Sequence, residues 1–288
     1  MFTTVQALVI ASFCVFVIAV FCLTFFGKKT KSDWERDSFI PQHTPHAGNH
    51  AAHKKRYITV SELVMNFFPS FDMEHWAEAK AQKTGETKED ISEEWNVNKE
   101  RSRQTGIFLR QEIARYFTGA AMKDEFQFYY KCRDHEIKES ISIKHEEDLF
   151  LDFTAKHKLH VYRTNLLISD DALKVVGRVA YIGKRQDGYE LYDWKRNKGV
   201  TDENGNTIIE NAYGQKGING LETVDDTPFW HYALKLNIYR AILEKNYHLN
   251  IVRMTLVDIC AKNKSYKKID IPKMSRETRI VVDFLSKS

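Results

Sequence analysis

Three period-two runs in close succession constrain the fold of this chain more than any other feature. "LHVYRTNLLI" (159–168), "LKVVGRVAYI" (173–182) and "GYELYDW" (188–194) alternate in polarity, the pattern of strands that turn one face to a core. Only "SDDA" separates the first two, and "GKRQDG", with Asp187–Gly188 as a turn signal, separates the second and third. Linkers this short leave no room for a crossover, so the three form a meander.

Helical patterns surround it. "TVSELVMNFF" places Thr59 three residues before Glu62, a capping-box signature, and stops at Pro69. "DMEHWAEAKAQK" and "EDISEEWNVNKERSRQTGIFLRQEIARYFTG" read as helices. In the second, Ile107, Phe108, Ile113, Ala114 and Phe117 recur near helical spacing, with Gly119 as its stop. "PFWHYALKLNIYRAILEKN" (228–246) is a further helix with a broad apolar face, in which Trp230, Tyr232 and Tyr239 read as core. The strands "IVRMTLVDI" and "YKKIDI" and the helix "SRETRIVVDFLSK" close the chain. This order predicts an α/β fold, a mixed central sheet flanked by helices. Residues 197–227 are too long for an ordinary connection and read either as a cleft-lining loop or as unstructured chain.

Hydrophobic residues make up 43% of the 288 and aromatics 12%, enough to build a core. The net charge of +4 permits contact with nucleic acid through local patches without demanding it. Cys14, Cys22, Cys132 and Cys260 show no zinc or disulfide spacing, which fits a reducing compartment. The first 27 residues carry no charge, and "ALVIASFCVFVIAVFCLTFF" (7–26) has the length of a bilayer-spanning helix. Lys28, Lys29 and Lys31 follow it, so the positive-inside rule predicts a single-pass membrane protein with its C-terminal bulk in the cytoplasm. The domain reading is then an anchor with basic flank (1–31), a His-rich flexible linker (32–56) and a folded domain (57–288). The linker's His43, His46, His50 and His53 read as a solvated tether or a weak metal site.

Candidate chemistry gathers on the meander. Pairing of the second and third strands places Ala180, Asp193 and Lys195 on one face. A carboxylate at 180 would complete a divalent-metal site with Asp193, and Lys195 would orient a water beside it. Position 180 is alanine. Read without further context, Asp193 and Lys195 form a surface ion pair.

From about residue 57 to 270 the chain resembles the PD-(D/E)XK nuclease superfamily, in its RecB-like and lambda-exonuclease-like branch. The resemblance rests on five segments in order: "EEWNVNKERSRQTGIFLRQEIARYF", "HVYRTNLLI", "VVGRVAYI", "YDWKRNK" and "FWHYALKLNIYRAILEKNY". It implies a restriction-endonuclease-like fold and metal-dependent phosphodiesterase chemistry with Mg²⁺ or Mn²⁺. The acid-x-lysine motif corresponds to "DWK", which makes Asp193 a metal ligand and Lys195 a catalytic lysine. The expected acid positions fall on Ala180 and Asn165, the expected histidine on Arg110, and the glutamine of a Gln-x-x-x-Tyr motif on Lys235, with Tyr239 kept. The resemblance therefore implies a degenerate centre with no metal cofactor, in which Arg110, Arg196, Lys235 and Tyr239 are candidate phosphate-binding residues. The expected partners are nucleic acid, a protein or the membrane. An active nuclease would need substitute ligands, for which Asp170 and Asp171 are the candidates; a structural membrane or virion component is a third reading. Lys184, Arg185, Arg196, Lys198, Lys262, Lys264, Lys267 and Lys268 offer a basic rim.

Overall fold

The computed structural model describes residues 57–287. Among these residues no helix is long and apolar enough to cross a membrane, which corrects the expected fold: the part observed is a mixed α/β domain without a transmembrane helix. The 7–26 run, the 1–31 anchor and the 32–56 linker lie outside the described residues.

The chain enters through β1 (Ile58–Thr59), then α1 (Val60–Met65), α2 (Met73–Thr84) and α3 (Lys88–Tyr116). The capping box is present: the Glu62 amide donates to Thr59 Oγ1 at 3.1 Å, and the Thr59 amide donates to the Glu62 carboxylate at 2.9 Å. A hairpin of β2 (Glu125–Lys131) and β3 (Glu136–Ser142) and the helix α4 (Lys144–Lys156) lead into the meander, β4 (Val161–Asp170), β5 (Val175–Lys184) and β6 (Tyr189–Lys195). After a long connection come α5 (Pro228–Asn246), β7 (Ile251–Asp258), β8 (Lys267–Asp270) and α6 (Ser275–Lys287). The connection at 197–227 is folded in place, with Val200 and Leu221 fully buried and a bridge from Lys216 to Asp225.

Six strands form the main sheet. β4, β5 and β6 run antiparallel as expected, β6 pairs parallel with β7, and β8 closes the far edge. One face carries Tyr181, Tyr192 and Trp194 into an aromatic core with Phe117, Phe150 and Phe153. The other face receives α5.

The sheet forks where the site lies. β5 pairs with β6 only from Tyr181 to Lys184, and with β1 at Val175 and Val176 along the same edge. Beyond Tyr192, β6 therefore holds β7 alone, and Asp193 stands at the mouth of the fork. Tyr239 of α5 fills the gap, its ring packed against Gly177, where any Cβ would overlap it. The Gly177→Ala variant is expected to lose about 2 kcal/mol of stability, as overpacked cores do. Urea denaturation of the full chain measures this, and an unchanged midpoint would contradict the close packing.

Candidate functional site

The register settles the geometry on which the site depends. Tyr181 and Tyr192 are the last pair of the β5–β6 ladder; Ala180 and Asp193 lie just beyond it, where the strands part, and both line one cleft. On the other side of β5, Thr164 pairs with Tyr181 and Leu166 with Val179, which sets Asn165 opposite Ala180. The two positions where the resemblance expects acids are thus cross-strand neighbours. Their side chains do not meet in one site, because Asn165 takes a left-handed φ of 52° and is absent from the cleft that Ala180 and Asp193 line.

Asp193 is 5% exposed and sits in a cluster of cations. Lys195 Nζ lies 2.9 Å from its Oδ2, out of line for a hydrogen bond but within ion-pair range, and Lys235 Nζ lies 3.5 Å from the same oxygen. Burial pushes the Asp193 carboxyl up; the charges of Lys195, Lys235 and Arg110 outweigh it and hold the group below the usual carboxylate range. Asp193 is buried and Lys195 half-buried, which corrects the expectation of a surface ion pair. Tyr239 backs the cluster from the fork, hydrogen-bonded to the backbone of Arg178, and burial followed by the Asp193 charge pushes its hydroxyl well up.

Above this floor opens a cleft of about 850 Å³ between α1, α3, α5 and the ends of β6 and β7. Six cationic side chains line it: Arg103, Arg110, Lys195, Arg196, Lys198 and Lys235; Asp193 is its one carboxylate. Two of the six are engaged from outside the cleft. Arg103 is held by Glu100, and Arg196 donates twice to the buried Glu146 of α4, at 2.9 and 2.7 Å. Arg196 is therefore a structural clamp as much as a candidate phosphate ligand. Arg110 keeps a buried Nε that donates to no acceptor.

Sequence reasoning missed several residues of this cleft. Tyr232, read as core, lines it with its ring 4.9 Å beneath Lys195 Nζ and its hydroxyl bonded by Asn197. His231 lines it too, packed 4.0 Å from the Phe68 ring and hydrogen-bonded to Asp226 at 2.7 Å. The available signal was the spacing of 228, 231, 232, 235 and 239 along one helical stripe.

Asp170 and Asp171 lie elsewhere. Asp170 ends β4 roughly 17 Å along the strand from Asn165; its carboxylate accepts from the amides of Ala172 and Leu173 and pairs with Lys245 at 2.8 Å. Asp171 accepts from the Tyr57 hydroxyl. Both stabilise the turn, and neither lines the Asp193 cleft. Among the described residues, no three His, Cys, Asp or Glu side chains gather as a metal-ligand group. Of the expected basic rim, Arg196 and Lys198 reach the cleft; Arg185 is taken by Asp187 and Glu190, and Lys262 bonds the Lys198 carbonyl.

No family model matches the chain, and no curated protein matches it. Among solved structures, the crystal structure of SSO0001 aligns at 13% identity over 82% of this chain and 76% of that one, with a TM-score of 0.32. A likeness that low carries no argument about function.

Proposed function

We propose that the cleft binds the phosphate backbone of nucleic acid and does not cut it, as a PD-(D/E)XK nuclease-like protein whose metal centre has been replaced by fixed cations. The observation that carries this reading is the environment of Asp193. The carboxylate that would ligate a metal is already neutralised by two lysines, the neighbouring cleft position 180 offers only a methyl group, and cations remain in excess around it. A site of that composition attracts phosphate oxygens, and it offers a divalent ion one carboxylate already engaged. Lys195, which would assist an attacking water beside a metal, instead serves with Lys235 and Arg110 as a phosphate donor.

Binding of this type is salt-dependent. If Arg110, Lys195, Lys198 and Lys235 each neutralise one phosphate, the logarithm of the affinity should fall against the logarithm of salt with a slope of about −3 to −4. Lys235→Ala should flatten that slope by about one and weaken binding at low salt by about tenfold. Fluorescence anisotropy of a labelled oligonucleotide with the full chain tests both. Affinity indifferent to salt, or to the loss of Lys235, would remove the basis of the proposal.

A further inference from the structure

The floor and the wall of the cleft differ in chemistry. The floor is charged and recessed: the side chains of Lys195 and Lys235 are 20% and 14% exposed. The wall carries Val64, Met65, Ile107 and Pro228 together with the rings of His231 and Tyr232. Met65 is 51% exposed, although Val60, Leu63 and Val64 of the same helix are buried, so an apolar side chain is left open at the lip. The two rings are fixed in place. Asn197 holds the Tyr232 hydroxyl, while Asp226 and Phe68 hold His231.

A regular duplex makes poor use of this arrangement. Its base faces are hidden in the stack and its groove edges are polar, so the apolar wall gains nothing from it. Its phosphates are also held on a stiff cylinder, away from recessed ammonium groups. An unpaired strand bends, sets its phosphates over the cations and lays its bases against rings and apolar side chains. We propose that the cleft selects unpaired nucleic acid, with phosphate on Arg110, Lys195 and Lys235 and a base against Met65, His231 and Tyr232. This rests on the nucleic-acid reading above and adds to it the choice of single strand over duplex.

The test is competition between a 20-nucleotide single strand and its own duplex for the full-length protein, in EDTA and at fixed salt. The single strand is expected to bind about tenfold or more tightly than the duplex. Met65→Ala, which removes apolar surface without adding charge, should lower single-strand affinity by about fivefold and so narrow the preference over duplex, and Met65→Leu should keep the parent preference. Thermal unfolding of each variant confirms that the half-exposed position tolerates the change. Equal affinity for the two forms, or a Met65→Ala variant that binds the single strand as well as the parent, overturns the inference and leaves the backbone-binding reading standing. Binding of neither form overturns both.

Discussion

Asparagine at position 193 is expected to cost the folded state about 3 kcal/mol, and in the same protein to strengthen its hold on polyanions. Removing one partner of a buried ion pair leaves the other charges uncompensated, and losses of about 3–5 kcal/mol are typical. Here the orphaned groups are Lys195 and Lys235, both mostly buried, with Arg110 close enough to add to the repulsion. The same unmatched charge faces the cleft, so a phosphate becomes the missing counterion and affinity should rise by about tenfold at low salt. Urea denaturation at neutral pH and oligonucleotide binding, measured on one preparation, read the two effects together. The difference between parent and variant depends on pH in a defined direction. Because the native Asp193 titrates below the ordinary carboxylate value of about 3.9, its contribution is fully present above that value and is lost as pH falls through the lowered native one. The two proteins should therefore converge in stability only in strong acid. A variant as stable as the parent at pH 7 would mean that the cation cluster does not depend on Asp193.

The second large effect concerns restoring the metal site. Ala180→Asp with Asn165→Glu supplies both carboxylates that the sequence resemblance expects, yet this pair is expected to leave Mn²⁺ binding undetectable. Two features stand in the way. Asn165 holds a left-handed φ, which asparagine tolerates and glutamate adopts at a cost of about 1 kcal/mol, and it does not line the cleft. Lys235 keeps its ammonium 3.5 Å from Asp193 Oδ2, within the space a cation would occupy. A unit charge about 4 Å away is worth about 4 kcal/mol at an effective dielectric near 20. Removing it should therefore raise divalent affinity by about a hundredfold or more. Ala180→Asp with Lys235→Gln is the combination expected to bind Mn²⁺, because the new carboxylate joins Asp193 in lining the cleft while the competing ammonium is gone. Calorimetric titration of the two double variants separates the outcomes. If the Ala180→Asp, Asn165→Glu protein binds Mn²⁺ as tightly as the Lys235→Gln one, Lys235 is not the obstacle.

The meander, its flanking helices and the face shared by Ala180, Asp193 and Lys195 were legible because they depend on local periodicity and on register, both written in consecutive residues. The β2–β3 hairpin was not read, although Phe126, Phe128, Tyr130, Ile137 and Ile141 alternate correctly. Its turn, "CRDH", lacks the glycine or proline that marks such a turn. α4 escaped for a similar reason: Ile143 precedes it with no side-chain cap, so no start signal is present. At the site, the resemblance pointed to Arg110 and Lys235 as the odd substitutions, while the closeness of Lys235 to Asp193 emerges only from the fold. The capture of Arg196 by Glu146, fifty residues away in sequence, has no local signature. The fork in the sheet is equally non-local, set by β1 and Tyr239 occupying an edge of β5 that β6 leaves.

The central claim, that cations have replaced a metal at Asp193 and that the cleft now holds phosphate without cutting it, is tested most directly on the unaltered full-length chain. Mg²⁺ and then Mn²⁺ are titrated by calorimetry in the presence and absence of an end-labelled oligonucleotide, and the same samples are run on a denaturing gel. Oligonucleotide binding is expected to need no metal, the metal alone to give no heat, and the label to stay at full length. Shortened products that require Mg²⁺ or Mn²⁺, and that disappear in the Asp193→Asn variant, would contradict it.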